Sequence, residues 1–361
     1  MQYPSHSHQR GFSLVELMIA MAISLVIIAG AAYVYLASRE GQRSLDRTSG
    51  SREAGVFVLQ TIGRDLMNAG FYPATILPFE KNDPYYSATQ FGMFNGYYPY
   101  ESSPRAPTDW EDSSTNWPPT AFKSGIFGCD SGPFDTSSST CTSASGSADT
   151  LVINYFTNDT IDAPGTRRDC SGANVDADPS NAERKKNATD DPKLPPRQPL
   201  FVSNRYTLIS TKMFVDTSDI TTKSLACSGN GSNWHSKAAE YQPMVAGVED
   251  MQFTYGIYTS YDPKSTNNTL APAKFLTATQ MASEAPLNVS GIALTAWQRV
   301  TAVRVCILTR TLGSNTRVSD MAGTKSTYVD CAGTTTKQPT GYAIARYEQI
   351  FGVRNALRLS Y

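Results

Sequence analysis

Histidine is scarce in this chain, which has 3, and beyond residue 10 only His235 remains. Ser-His-Asp triads and histidine-rich zinc sites depend on this residue, so one isolated histidine argues against both. The chain also lacks the G-x-x-x-x-G-K-S/T, G-x-S-x-G and G-x-G-x-x-G patterns that hold phosphates, a nucleophilic serine or a dinucleotide. We therefore expect neither an enzyme nor a cofactor.

Charge is also low, at 17% of residues, with a formal net charge of -1. This balance supplies no overall field for a polyanion. Basic clusters occur at 167–168 and 184–186, but interleaved aspartates favour a solvated loop, so nucleic acid is not an expected partner. Asp176 and Asp178 resemble the start of a calcium loop, yet no Gly or distal Glu completes the pattern. No metal site is predicted.

The chain has 6 cysteines and no C-x-x-C pair. They are Cys129, Cys141, Cys170, Cys227, Cys306 and Cys331. An even, dispersed set that follows a hydrophobic segment predicts disulfide bonds in an oxidising compartment, with buried free thiols as the alternative. Such a set allows about 15 complete pairings. Proximity along the chain favours Cys129 with Cys141, Cys170 with Cys227, and Cys306 with Cys331.

A long hydrophobic run begins at Phe12 and ends at Leu36. Its roughly 25 residues are enough to cross a bilayer as a helix. A cleaved secretory signal is the ordinary alternative, since a short polar leader precedes the run and small residues occur at 29–32. Glu16 argues against a disposable signal, because a carboxylate near the start of the run costs roughly 2 to 3 kcal/mol in lipid.

The helical pattern continues beyond this run. The apolar and small residues that recur at helical spacing are Val56, Leu59, Ile62 or Gly63, Leu66 and Gly70. Charged residues such as Arg52 and Asp65 occupy other positions on the helical wheel. The sequence therefore predicts one helix from Phe12 to about Gly70, with a membrane half at 12–37 and an amphipathic half at 38–71.

The segment RGFSLVEL at 10–17 resembles the processing motif of type IV prepilins. The resemblance implies that a prepilin peptidase removes residues 1–11 by cutting after Gly11 and methylates the new N-terminal Phe12. Gly11 suits such a cut, because a backbone without a side chain enters a protease cleft without steric penalty. Glu16 lies one helical turn later, where the Phe12 amine of a neighbouring subunit could neutralise it and set the stagger between subunits. The alternative is that Glu16 reaches the headgroups or stays protonated.

Orientation in the membrane is less directly encoded. Arg39, Arg43 and Arg47 lie just beyond the run and outnumber Arg10, so the positive-inside tendency does not favour a cytoplasmic N-terminus. The processing motif and the cysteines decide the expectation instead. They predict a single-pass protein of the inner membrane, with its C-terminal domain in the periplasm and later in a pilus at the cell surface.

The remainder of the chain, 72–361, is predicted to be a β-rich domain with two large loops. The first loop, 72–149, is rich in Pro, Tyr, Ser and Gly, and the second, 162–199, is polar. Neither segment has a helical period.

Strand signals lie around these loops. Residues typical of strands occupy 150–157, 205–210 and 212–216, while apolar and polar residues alternate over 251–257 and 303–307. Alternation predicts half-buried antiparallel strands. The predicted fold is α+β, with the amphipathic half of the helix packed on one face of an antiparallel sheet.

A second resemblance lies in these strands. The segments GVEDMQFTYG at 247–256 and RVTAVRV at 299–305 resemble the sheet of PilW-type minor pilins, and DLMNAGFY at 65–72 resembles that family's helix exit. The resemblance implies a type IV pilin-like fold and a low-abundance subunit that primes or tips a type IV pilus. The implied partners are the prepilin peptidase, other minor and major pilins, and the inner-membrane assembly platform.

Two rival functions remain open on this evidence. A pseudopilin of a type II secretion system has the same kind of leader and helix but pushes secreted proteins outward. The large loops could instead make the subunit a tip adhesin or a receptor for DNA uptake. Genetic neighbourhood distinguishes the first rival, and deletion of a loop with separate assays of adhesion, uptake and piliation distinguishes the second.

Overall fold

The structure is a computed structural model. It describes residues 13–71, 125–135, 140–142, 148–160, 167–175, 199–215, 218–231, 241–261, 270–289, 292–312, 327–339 and 341–357. Gly11, Phe12 and much of both predicted loops lie outside these residues. The chain divides into two compact units, Met1–Ser49 and Gly50–Tyr361.

Helix α1 begins at Leu14 and ends at Asn68. No proline interrupts this stretch, and the next proline in the chain is Pro73. Gly70 follows the helix with a φ of 69°, the left-handed conformation in which helices commonly terminate. The long helix expected from the sequence is therefore confirmed over the residues that the structure describes.

The described residues also form strands and a second short helix. In chain order the strands are β1 Ile126–Cys129, β2 Phe134–Asp135, β3 Thr140–Cys141, β4 Thr150–Thr160, β5 Pro199–Val215, β6 Ser218–Gly229, β7 Gln242–Ala246, β8 Val248–Ile257, β9 Lys274–Leu276, β10 Leu287–Val289, β11 Ile292–Leu294, β12 Val300–Arg310, β13 Thr327–Val329, β14 Thr335–Lys337 and β15 Ile344–Gly352. Helix α2 spans Ala278–Ser283.

Two larger antiparallel sheets contain most of these strands. The first has the strand order β1-β4-β5-β6-β7, and the second has the order β15-β12-β8-β9. The chain leaves the first sheet at Gly247, between β7 and β8. Three two-stranded pairs, β2-β3, β10-β11 and β13-β14, complete the described sheets.

One hydrophobic core joins the second part of α1 to both larger sheets. Its members include Val58, Ile62 and Leu66 of α1, Ile153, Val202 and Leu225 of the first sheet, and Phe253, Val303 and Val305 of the second. The expected α+β fold is confirmed. The domain contains two larger sheets where the strand signals indicated one, and the helix packs into a core that both sheets share.

Three details of the sequence prediction need correction. The loop predicted over 72–149 contains β1 to β3 near its end, because the short apolar run at 126–129 pairs with β4. The separate strands predicted at 205–210 and 212–216 form a single strand, β5. Val56, assigned to the apolar stripe of the helix, is 42% exposed, and Gly55 is the buried residue at that point.

Candidate assembly site

The first turn of α1 holds Glu16 in a reciprocal cap. The Ser13 N–H donates to Glu16 Oε2 at 3.0 Å, and the Glu16 N–H donates to Ser13 Oγ at 3.2 Å. These are the two bonds of a capping box, and they satisfy N–H groups that have no partner within the helix. The Glu16 carboxylate is thereby turned toward the N-terminal end of α1, where it also complements the helix dipole.

Glu16 was predicted as an assembly residue, but its cap with Ser13 was not predicted, although the S-x-x-E spacing of residues 13–16 is the usual signal of such a cap. The predicted processing residues, Gly11 and Phe12, lie outside the described part of the chain. Cleavage after Gly11 and methylation of Phe12 therefore stay predictions.

The first part of α1 presents apolar side chains on all sides. Between Leu14 and Leu36 the exposed fraction of the large apolar side chains ranges from 54% at Leu17 to 76% at Tyr33. This helix is long and apolar enough to cross a membrane. Such a surface is unfavourable in water, so the segment needs lipid or other apolar helices around it.

The second part of α1 approaches β15 closely through two glycines. A Cβ atom added at Gly55 would lie 2.6 Å from Cδ2 of Tyr347, and one added at Gly63 would overlap the ring of Phe351. Gly55 and Gly63 lie on one face of the helix, and Tyr347 and Phe351 lie on one face of the strand. Each glycine therefore makes room for one aromatic ring of the second sheet.

Polar contacts fix the docked part of α1 near both of its ends. The hydroxyl oxygens of Ser51 and Thr309 lie 2.9 Å apart in a buried hydrogen bond. At the other end, Asn355 Nδ2 donates to the carbonyl oxygens of Met67 and Ala69 at 3.2 and 3.1 Å. The second bond set satisfies carbonyl groups that the end of the helix leaves without an intrahelical partner.

Asp65 connects the helix to the first sheet. Its Oδ2 accepts hydrogen bonds from Asn204 Nδ2 and from the Tyr206 hydroxyl, both at 2.6 Å. Burial raises the pKa of Asp65, and the bonds from Tyr206 and Asn204 oppose this shift in part. Burial and the nearby Asp65 raise the pKa of Tyr206 well above its usual value, so the phenol remains a donor at neutral pH.

A pocket of about 450 Å³ opens beside Asp65. In its wall Arg167 Nη2 donates to the Tyr155 hydroxyl at 3.1 Å, and the guanidinium carbon lies 5.5 Å from the centre of the Tyr155 ring. Burial raises the pKa of Tyr155 to about 12. The lining includes Arg64 and Arg167 as well as Asp65 and an aspartate of the 167–175 segment, so both signs of charge are present.

The three disulfide bonds join the pairs that proximity along the chain favours. They are Cys129–Cys141, Cys170–Cys227 and Cys306–Cys331, with Cα–Cα distances of 5.4, 6.1 and 5.7 Å. Each lies within the ordinary range for a disulfide. The bonds link β1 to β3, the 167–175 segment to β6, and β12 to the turn between β13 and β14.

Sequence reasoning missed the anchor formed by Asp65, Asn204 and Tyr206. In the sequence prediction, Asp65 was named only as part of the helix-exit motif. Its hydrogen-bonding partners lie 139 and 141 residues away along the chain. One signal was present: Asp65 follows Ile62 by three positions and so borders the buried stripe. A carboxylate there needs a hydrogen-bonding partner.

Within the described ranges, no group of three or more His, Cys, Asp and Glu side chains is arranged to hold a metal ion. His235, Asp176 and Asp178 lie outside those ranges.

Comparison with known proteins adds two family matches. Residues 212–355 match the family described as Type IV Pilus-assembly protein W, and residues 6–32 match the prokaryotic N-terminal methylation motif. A solved type IV-like pilin from Thermus thermophilus is 13% identical over 60% of this chain and 82% of that chain, with a TM-score of 0.26. No curated protein matches the chain.

The chain has a helix with an apolar stretch long enough to cross a membrane, a methylation motif at the start of that helix, and an antiparallel β domain whose core contains the other end of the helix. These are the features of a membrane-anchored type IV pilin-like subunit. The match over 212–355 supports a PilW-type minor pilin. In such pilins, the family and its leader motif imply processing by a peptidase and assembly with other pilins and a membrane platform. Pilin families are structural proteins.

Proposed function

We propose that this minor pilin is cut after Gly11, methylated on Phe12 and held in the inner membrane with its β domain in the periplasm. It then enters a type IV pilus, where it primes assembly with other minor pilins and contributes to display at the filament tip. Residues 1–11 are the leader in this proposal. The segments 12–37 and 38–71 are the membrane and amphipathic halves of the helix, and 72–361 is the exported domain.

The observation that carries the proposal is the exposed apolar surface of α1 between Leu14 and Leu36. Acyl chains cover such a surface while the subunit is in the membrane. The corresponding segments of neighbouring subunits can cover it in a filament, because both surroundings are apolar. The apolar surface of α1 is thus covered both in the membrane and in the filament. Transfer of the subunit from one to the other therefore costs little free energy.

Glu16 supports a role in setting subunit register. Its cap with Ser13 keeps the carboxylate at the N-terminal end of α1, close in sequence to the amine that processing creates on Phe12. A carboxylate in an apolar filament core is costly without a counter-charge. The Phe12 amine of a neighbouring subunit supplies that charge in our proposal.

The test follows the chain from membrane to filament. Mass spectrometry of the mature protein is expected to show an N-terminus at methylated Phe12, and immunodetection is expected to find the protein in sheared pili. Deleting the gene is expected to reduce the number of pili while the major subunit stays in the membrane. Retained Met1, or a cut after Ala31 or Ala32, would contradict the processing step.

Two variants make the test specific. Gly11→Val is expected to block maturation, because it puts a branched side chain at the cut. Gly30→Val is the matched control: it makes the same change within the apolar run, where nothing lies within 4 Å of the added Cβ, and it should leave cleavage intact. If the deletion abolishes type II secretion and leaves piliation unchanged, the chain is a pseudopilin and the pilus proposal is wrong.

A further inference from the structure

Strand β5 extends beyond the pairing range of β4. The last pair between β4 and β5 is Leu151 with Tyr206, whereas β6 pairs with β5 as far as Val215. Among the residues that the structure describes, residues 208–215 therefore have a neighbouring strand on the β6 side alone. The segments 208–215 and 218–225, paired with each other, are called the β5–β6 arm below.

The outward backbone groups of the arm follow from its register. The Asn230 N–H donates to the Ser203 carbonyl at 3.1 Å, which places odd-numbered residues of β5 toward β6. In an antiparallel pair these positions alternate, so the even-numbered residues direct their N–H and C=O groups to the open side. Those residues are Leu208, Ser210, Lys212 and Phe214. About eight residues at about 3.3 Å each give an open edge of roughly 26 Å.

Proteins commonly protect such edges with short strands, proline, charges or bulges. In the described sheets, β1 and β9 are short, with 4 and 3 residues, and β7 contains Pro243. The edge strand β15 is longer, with 9 residues, but carries Arg346 and Glu348. The edge at 208–215 has no proline, its pairing with β6 has no bulge, and Lys212 is its one charge.

The side chains at the end of this edge also lack cover within the described structure. Phe214 is 72% exposed, and Ser210 and Lys212 on the same face of the strand are exposed as well. Thr211 and Met213 on the opposite face are half-buried. An exposed aromatic ring at the end of an edge that Lys212 alone protects favours contact with another chain.

We propose that the open edge of β5, residues 208–215, receives an extended segment of a neighbouring pilin subunit as an added strand of the first sheet. This inference rests on the proposed function, because assembly with other pilins supplies the occupant. The added strand exchanges main-chain hydrogen bonds with the open-side residues of β5. It also lays an apolar side chain against Phe214, as cross-strand neighbours do in a sheet.

The experiment uses the full chain in cells that make pili. A photo-crosslinking amino acid replaces Ser210, and the fraction of the chain crosslinked in sheared pili is measured. We expect an adduct whose second component is another pilin carrying its own N-terminal methylation motif, as identified by mass spectrometry. A lysate protein outside the pilus does not meet this criterion, and its capture in place of a pilin overturns the inference.

Proline variants then test the edge itself. Lys212→Pro removes an outward N–H and is expected to lower the crosslinked fraction at least about tenfold, because proline cannot donate to an added strand. Lys212→Thr removes the charge but keeps the N–H, and should stay within about twofold of the parent. Thr221→Pro is the matched control on the other strand of the arm, directly across from position 212, and should also stay within about twofold.

Each other outcome overturns a stated claim. An equal loss of the crosslinked fraction with Thr221→Pro means that the partner recognises the overall shape of the arm, which contradicts strand addition. An adduct between two copies of this chain overturns the choice of occupant. If the chain is present in sheared pili and Ser210 gives no adduct, the inference fails and the proposed function stands. If the chain is absent from pili, the proposed function fails first.

A folding control keeps the test valid. The processed membrane pool of each variant is compared by non-reducing electrophoresis, in which the three disulfides report a correctly folded domain. If Lys212→Pro disturbs that pattern, Ser210→Pro replaces it, with the crosslinker moved to Phe214. A normal crosslinked fraction in a correctly folded proline variant overturns the inference.

Discussion

The two parts of α1 are both rich in apolar residues, and they differ in what covers those residues. Leu25 and Val26 in the first part are 67% and 73% exposed, whereas Val58 and Ile62 in the second part are 0% exposed. The second part is apolar on one face, which the sheets bury. The first part is apolar on every face, so its stable surroundings must come from outside the chain. The comparison separates residues needed for assembly from residues needed for folding.

The largest effect is expected from a change at Glu16, in the first part of α1. Glu16→Ala is expected to leave membrane insertion, cleavage and the β domain intact, because removing a charge from an apolar helix eases insertion. Entry into pili should fail, since an unpaired Phe12 amine would cost about 3 to 5 kcal/mol if buried in the filament core. The measurement is the ratio of this protein in sheared pili to the processed membrane pool.

The variant Glu16→Gln distinguishes the charge of Glu16 from its cap with Ser13. The glutamine keeps the cap with Ser13 but loses the charge, so it should be nearly as damaging to assembly as alanine. If Glu16→Gln enters pili at the wild-type level while Glu16→Ala does not, the cap matters and the charge does not. Wild-type levels of both variants would remove the register role assigned to Glu16.

The second effect lies in the domain and should leave the first part of the helix untouched. Replacing Cys170 and Cys227 together by alanine is expected to lower the free energy of unfolding by about 2 to 4 kcal/mol, mainly by freeing the unfolded chain. Denaturant unfolding of the full chain in detergent measures this change. Membrane extraction should be unaffected, and if the unfolding midpoint is unchanged the bond contributes nothing to stability.

The third effect is a pH dependence confined to the domain. Burial raises the pKa of the Asp149 carboxyl to about 6. The Ser131 and Phe253 N–H groups donate to this carboxyl at 2.9 Å and oppose the shift in part. The unfolded carboxyl has a pKa near 3.8, so the folded chain binds the proton more tightly. Its contribution to stability is therefore present below about pH 4 and is lost as the pH rises through 6.

The size of this effect follows from about 1.4 kcal/mol per pKa unit, and amounts to about 2 to 3 kcal/mol between pH 4 and 7. The unfolding temperature of the full chain in detergent, measured across that range, should fall with rising pH. Asp149→Asn cannot titrate and should reduce the slope, and the part that remains is expected from Asp65 and Asp250, because burial also raises the pKa of these two carboxyls. Asp130 acts in the opposite direction: burial alone would raise its pKa, but bonds from Thr279 and Ala278 hold that pKa below its usual range. An unchanged slope in Asp149→Asn would contradict the assignment.

The smallest effect compares two helical glycines. Gly63→Ala places a methyl group against the Phe351 ring and is expected to cost about 1 to 3 kcal/mol of domain stability through overpacking. Gly50→Ala is the control, because nothing lies within 4 Å of the added Cβ, and alanine should stabilise that helical position by up to about 1 kcal/mol. Equal responses of the two variants would show that Gly63 is not a packing site.

The parts of this fold that sequence could predict are the local ones. A helix from about residue 12 to 70 follows from an unbroken apolar run and then a 3.6-residue period, both visible within one segment. Strands β8 and β12 follow from simple alternation. The pairs of cysteines joined in the structure are also neighbours along the chain, so proximity was informative for them.

The parts that escaped prediction depend on distant contacts or on weak local signals. Strand β6 is rich in Ser and Thr, and its strand character comes from pairing with β5. Asp65 gains its role from Asn204 and Tyr206, which no local pattern connects to it. Gly55 and Gly63 are buried because Tyr347 and Phe351, nearly the whole chain away, need the space that a Cβ would fill.

The order of the disulfides along the chain has a consequence for export. The bonds 129–141, 170–227 and 306–331 follow one another without overlap. In the proposed orientation, the domain emerges from the membrane with its N-terminal side first and presents the cysteines as successive partners. An oxidase that simply joins each newly arrived thiol to the one still unpaired would therefore produce the native set. Biogenesis of the domain then needs no reshuffling by an isomerase, and loss of such an enzyme should leave the yield of this pilin unchanged.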